Sequence, residues 1–108
     1  MSSSDVKASK ALTSTGQLQG FIGADAGTAT NLGPIRIQSI QAQASAADGE
    51  IKIYDGTSAT DTKLLIHFKF GSAANESFDH YIPNDGVKFG TGAYVVLANC
   101  DFFVAYYN

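Results

Sequence analysis

Cys100 with His67 or His80 could in principle combine a nucleophile with a base near neutral pH in this 108-residue sequence. A thiol–imidazole pair would attack carbonyl or disulfide substrates. It needs the two groups adjacent, and an oxyanion site, often at a helix N-terminus. Cys100 lies in Asn99-Cys100-Asp101, between two apolar strand patterns, and no helix is evident nearby. It therefore reads as a small, half-buried thiol. Histidine metal sites want two or three convergent ligands. His80 shares parity with Phe78 and Ile82, and His67 lies between Leu65 and Lys69 on the polar side of its strand. Two separate imidazoles do not make a zinc site, and no metal is expected.

Asp55 and Asp61 flank a loop with hydroxyl residues that could meet a hard cation. The alternate oxygen ligands and closing glutamate of a calcium loop are missing, so the segment reads as a hairpin loop. The closely spaced glycines at Gly16–Gly20 and Gly90–Gly92 do not join a strand to a helix, as a phosphate cradle requires. Asp48 and Glu50 sit at a polar turn and read as solvated charges, not as a glycosidase pair. No enzyme and no cofactor are expected.

The elements that would position these groups are short strands. From Leu12 onward, apolar stretches are punctuated by Gly, Asn and Asp, and no stretch has helical apolar spacing. Strands are expected over Gln17–Ile22, Ile35–Ser45, around Ile51 and Ile53, Lys63–Phe70, around Phe78–Ile82, and Val87–Phe89. Two more are expected over Ala93–Ala98 and Phe102–Tyr107, separated by Asn99-Cys100-Asp101 at hairpin distance. Gly23–Gly33 reads as a loop. In Ile35–Ser45 the parity changes between Ile37 and Ile40, and a bulge near Gln38–Ser39 would return both halves to one face. Leu64, Ile66, Phe68 and Phe70 form one stripe, with Leu65, His67 and Lys69 on the other side. These patterns predict an all-β fold: an antiparallel β-sandwich or jelly-roll-like barrel of roughly seven to nine strands. Residues 1–11 read as a flexible N-terminal arm and 12–108 as one sandwich domain.

Composition narrows the partners. Hydrophobic residues make 44% and charged residues 16%, against about 25% charged in an ordinary soluble domain. The formal charge is −3, and the seven basic residues are scattered singly, which argues against nucleic acid. No segment approaches the roughly 20 apolar residues of a membrane helix, and no signal peptide is recognised, so neither a membrane nor secretion is expected. One cysteine cannot form an intrachain disulfide. Ala93–Ala98 (AYVVLA) and Phe102–Tyr107 (FFVAYY) are apolar on both alternating faces, unlike a strand with one solvated face. Either both are central strands or one face meets a partner. Tyr94, Phe103, Tyr106 and Tyr107 are the candidate contact residues, joined by Val6, Lys7 and Lys10 of the arm.

A resemblance gives these features a setting. Tyr54–Leu65 (YDGTSATDTKLL), Pro83–Phe89, Thr91–Val95 and Phe102–Tyr107 resemble, in their order of turns and strands, the small all-β virion proteins of tailed bacteriophages. The resemblance implies a non-enzymatic subunit, made in a host cytoplasm and carried on the virion. It implies self-association, as a trimer or other small oligomer, and binding to the major capsid protein or another virion protein. A capsid decoration (cement) protein fits best; a host-surface or carbohydrate-binding module of a tail or fibre is the alternative.

Overall fold

The computed structural model describes residues 6–21, 29–59, 63–72 and 75–108. Asp61, residues 1–5 of the expected arm and most of the Gly23–Gly33 loop lie outside the described residues. Eleven strands are present among the rest: β1 (Lys7–Ala8), β2 (Gly16–Gln17), β3 (Gln19–Phe21), β4 (Ala29–Asn31), β5 (Ile35–Ala44), β6 (Glu50–Asp55), β7 (Leu64–Lys69), β8 (Ser77–Tyr81), β9 (Val87–Phe89), β10 (Ala93–Ala98) and β11 (Cys100–Tyr107). All pairings are antiparallel. A first sheet has the order β1-β11-β5-β8, with β9 also paired to β5; a second has the order β2-β10-β6-β7. Strands β3 and β4 form a small separate hairpin. The two larger sheets enclose one apolar core, and the chain is an all-β sandwich.

Alternation, interrupted once in β5, explains who fills that core. Ile35, Ile37, Ile40, Ala42 and Ala44 of β5 face inward, as do Ile51 and Ile53 of β6, and all are buried. Keeping Ile37 and Ile40 on one face needs one extra residue. The β5–β11 register supplies it, stepping from Tyr106↔Ser39 to Tyr107↔Ile37 and leaving Gln38 unpaired. That is the bulge the parity change requires. Strand β7 alternates between half-buried and exposed positions, with Leu64, Ile66 and Phe68 on the inner side. Phe68 stacks on Phe78 of β8 at 3.8 Å between ring centroids, and Phe70 meets Phe78 edge-on at 5.1 Å. These rings close the sandwich between two strands that belong to different sheets. Offset and edge-on aromatic pairs contribute about 0.5–1.5 kcal/mol beyond area burial.

Two expectations are corrected here. Strands β10 and β11 do not form a hairpin: β10 pairs with β2 and β6, and β11 pairs with β1 and β5. Asn99, the one residue between them, has φ 56°. Asparagine tolerates this left-handed conformation better than most residues, and here the chain leaves one sheet and enters the other. The Asn99 carbonyl accepts a hydrogen bond from the Ser45 amide at 2.8 Å, and its Nδ2 donates to the Ala47 carbonyl at 3.2 Å. Second, Ala29–Asn31 is a strand inside the segment that composition assigns to a loop. Its small residues carry no periodic signal; pairing with β3, at Gln19↔Asn31 and Phe21↔Ala29, makes it a strand.

The N-terminal segment also differs from the expected arm. Lys7 and Ala8 pair with Tyr107 and Tyr106, and Leu12 bridges to Phe103. Between them Ser9 is buried. Its amide donates to the Ala105 carbonyl at 2.8 Å, and the Ala105 amide donates to Ser9 Oγ at 2.9 Å. The Ser9 hydroxyl in turn donates to the Lys10 carbonyl at 3.3 Å. A serine side chain thus takes the place of a backbone carbonyl beside β11. The low apolar content of the segment hides this, because its contribution is hydrogen bonding and not burial. Ser9→Ala leaves the Ala105 amide without its acceptor, at a cost of about 1–3 kcal/mol. Urea unfolding monitored by circular dichroism should show that loss, while Lys10→Ala, at an exposed position, should leave the midpoint nearly unchanged.

Candidate functional site

Because β11 lies inside the first sheet, its apolar residues divide between two environments. Phe103, Ala105 and Tyr107 point into the sandwich and are buried, Phe103 completely. Phe102, Val104 and Tyr106 point outward and are half-buried. Phe103 and Tyr107, expected at a subunit contact, are therefore core residues. Burial holds the Tyr107 hydroxyl above its ordinary pKa. Its ring packs against Gly20 so closely that any Cβ there would strike the Tyr107 hydroxyl and Leu32.

The remaining candidates are separated by the fold. Tyr106 is on the outer face of the first sheet, where its hydroxyl donates to Gln41 Oε1 at 3.3 Å. Tyr94 is on the outer face of the second sheet, opposite Gln17 on one side and Tyr54 on the other. Val6 is exposed, and Lys7 and Lys10 lie along the first sheet's β1 edge. Tyr54, which the sequence places only at the start of a turn, is 4% exposed yet lies apart from the main core cluster. Its burial comes from the outer side of the second sheet, a position that alternation alone could not assign.

The two outer faces differ in charge. On the first sheet, cross-strand partners form the rows Tyr106–Ser39–Tyr81, Val104–Gln41–Asp79 and Phe102–Gln43–Ser77. Directly opposed residues share a face, and Asp79 alone is charged in these rows. Tyr81 is 70% exposed. On the second sheet the corresponding rows include Val96–Lys52–His67 and Ala98–Glu50–Lys69. There His67 Nε2 and Glu50 Oε2 are 2.5 Å apart, and this contact holds the Glu50 carboxyl below its ordinary pKa. The first sheet thus presents an aromatic, nearly uncharged patch across its β11–β5–β8 rows, with Arg36 and Lys88 beyond it at the sheet end, and the second sheet presents a charged, solvated face. Interface cores are depleted in charge and enriched in tyrosine and phenylalanine.

Among the described residues, Cys100 is not paired with an imidazole. Cys100 is half-buried; burial raises its thiol pKa above the ordinary value, with Asp101 adding to the rise. Its Sγ contacts the Glu50 carbonyl at 3.7 Å and the Ala98 carbonyl at 3.4 Å, not an imidazole. A thiol in this state is a weak nucleophile. His67 and His80 do meet at one place. They border a cleft of about 280 Å³ at the open edge between β7 and β8, lined by Ile40, Ile66, Phe68 and Ile82. Among the described residues no three His, Cys, Asp or Glu side chains are grouped to hold a metal ion.

Asp55 has a role that its loop reading did not include. Its carboxylate accepts hydrogen bonds from the amides of Gly90 at 3.0 Å, Thr91 at 2.8 Å and Gly92 at 3.4 Å. The side chain at the end of β6 thereby fixes the turn between β9 and β10. The Gly90 and Thr91 amides, more than any other cause, hold its pKa below the ordinary 3.8. Three successive amides converging on one carboxylate form a small anion-binding turn, with Asp55 as its built-in anion.

Comparison with family models, curated proteins and solved structures finds no match for this chain.

The Asp55 contacts carry a pH dependence. A carboxylate whose folded pKa is depressed adds stability that is complete above its unfolded pKa. That stability is lost as pH falls through the lower folded value. Asp55→Ala should therefore lower the unfolding free energy by about 1–2 kcal/mol at neutral pH, judged from charged hydrogen bonds in partial solvent contact. The gap between variant and wild type should close as the solution is acidified below about pH 4, in urea titrations run at several pH values.

Proposed function

We propose that this chain is a non-enzymatic structural subunit that associates with copies of itself through the outer face of the first sheet. The observation that carries this reading is the contrast between the two outer faces. The part of the first sheet's outer face formed by the β11–β5–β8 rows, with Phe102, Val104, Tyr106 and Tyr81 and a single carboxylate, covers poorly with water, whereas the opposite sheet presents Lys52, Lys69, Glu50 and His67. Burying such a face against another copy contributes about 25 cal/mol for each Å² of apolar surface removed from water. Closed symmetric assemblies are the usual result of a self-complementary or head-to-tail contact.

In its finer form the proposal makes the chain a capsid decoration protein, a small oligomer, such as a trimer, that clamps neighbouring capsid subunits of a tailed bacteriophage. The resemblance of the Tyr54–Leu65, Pro83–Phe89, Thr91–Val95 and Phe102–Tyr107 segments to small virion proteins supports that form. Many symmetry-related copies on a shell make individually weak contacts effective. A carbohydrate-binding module of a tail or fibre is the second reading, and the exposed Tyr81 ring favours it, because sugar faces stack on accessible aromatic rings.

Sedimentation velocity on the full chain tests the assembly. Wild type should run as a small multiple of its 11.3 kDa chain mass. Val104→Lys and Tyr106→Lys should run as monomers with a thermal midpoint close to that of the dissociated wild type. Phe103→Ala, a core truncation, should instead lose about 3–5 kcal/mol of stability. A wild type that is monomeric at all accessible concentrations, or a Val104→Lys variant that keeps the wild-type mass, overturns the self-association. Saturable binding to undecorated capsid shells supports the virion form; binding to a glycan array that Tyr81→Ala abolishes supports the carbohydrate module.

A further inference from the structure

At one end of the first sheet, two cations are held directly opposite each other. Arg36 of β5 and Lys88 of β9 are cross-strand partners, flanked in register by Ile35↔Phe89 and Ile37↔Val87. The flanking residues turn inward, so Arg36 and Lys88 share the outer side, and both are exposed. Like charges in this position, with Cβ atoms about 5 Å apart, destabilise a sheet. Next to Arg36 on its other side is Asn108. The two exchange both backbone hydrogen bonds, at 2.9 and 3.0 Å, extending the row across the sheet end.

Lys88, Arg36 and Asn108, together with Lys7, Pro34 and Ile35, line a cleft of about 510 Å³. Among the described residues no acidic side chain is in that lining. Neither Arg36 nor Lys88 has an ion-pair partner among the described residues; the salt bridge found there joins His67 and Glu50. The lining stays positive even when a carboxylate at Asn108 is counted against Arg36 and Lys88 alone. Convergence of this kind is unexpected in a chain with seven basic residues and a net charge of −3.

We propose that this cleft binds a compact ligand carrying two phosphate or sulfate groups. An oxyanion placed between Arg36 and Lys88 replaces their repulsion with two attractions. The planar Arg36 guanidinium can grip one group through two parallel N–H donors, and the Lys88 ammonium acts as a point charge for the same group or the next. Lys7 adds positive charge at the cleft, and the Pro34 ring forms an apolar wall beside it. The volume falls within the roughly 300–1,000 Å³ usual for small-ligand sites and exceeds what one oxyanion fills. The cations stop at this cleft and do not continue as a stripe, so the geometry suits a compact anion and not a nucleic-acid backbone. The inference stands independently of self-association.

Titration of the ¹⁵N-labelled full chain at low ionic strength tests it, with sodium pyrophosphate in one series and a disulfated disaccharide in the other. Saturable amide shifts are expected at Arg36, Lys88 and Asn108. In the double variant Arg36→Gln/Lys88→Gln the affinity should fall by about tenfold or more, in line with the loss of charge-assisted hydrogen bonds. A second readout guards against misfolding. The double variant removes a like-charge pair, so its unfolding temperature without ligand should equal or exceed that of wild type at low salt. Pyrophosphate should then raise the unfolding temperature of wild type more than that of the variant. Tighter binding of the disaccharide assigns the site to ester anions, and tighter binding of pyrophosphate assigns it to free oxyanions; either supports the proposal. No saturable shift with either probe at millimolar concentration, unchanged affinity in the double variant, or shifts centred on Lys52 and Lys69 would overturn it.

Discussion

The single residue Asn99 has to move the chain from one sheet to the other, and most of the architecture follows from that constraint. With φ at 56°, it ends β10 against β6 and starts β11 against β5. Two long apolar strands that follow each other directly therefore lie in opposing sheets of one sandwich, with Val95 and Phe103 both buried in the shared core. If the same strands formed a hairpin, their inward faces would belong to one sheet and the second sheet would lose its centre. The backbone and side-chain contacts from Asn99 to Ser45 and Ala47 hold this corner to the β5–β6 connection, where the chain makes the same change of sheet.

Placing β11 inside the first sheet creates a second requirement, because both of its edges need partners. Strand β5 supplies one, over almost the full length of β11. The other is covered by a short N-terminal segment: Lys7 and Ala8, the Ser9 contacts with Ala105, and the Leu12 bridge to Phe103. Very short edge strands are one way natural sheets avoid presenting a long template for pairing. The second sheet has the same arrangement, with β2 covering β10 by two residues. The outer face of β11 then lies between covered edges, and its Phe102, Val104 and Tyr106 are left half-buried on a surface with little charge.

Much of this was legible in the residues. Periods of two over Ile35–Ala44 and Leu64–Phe70 located β5 and β7 and told inside from outside. The parity change between Ile37 and Ile40 located a bulge to within a residue. Turn chemistry at Asn84-Asp85-Gly86 separated β8 from β9, and all three residues have positive φ. These signals are local: a strand's alternation and a turn's backbone conformation are written in neighbouring side chains. The functional clues were less legible. Phe102, Phe103, Tyr106 and Tyr107 form adjacent pairs, so composition showed that each face receives one Phe and one Tyr, but not which face meets solvent. Tyr94 and Tyr106 look equivalent in sequence, yet lie on opposite sides of the molecule.

The sequence by itself determined the all-β class, most strand positions, and the inner stripe of strands such as β5 and β7. It could do so because those properties depend on residues within a few positions of one another. Only the tertiary structure decided that β10 and β11 part company at Asn99, that Ser9 serves as a sheet acceptor, and that the Asp55 carboxylate organises the turn at Gly90–Gly92. It also brought Arg36, Lys88 and Lys7 to one cleft. Each of these joins groups dozens of residues apart, and register between distant strands is set by how the whole core packs, which no short window of sequence contains.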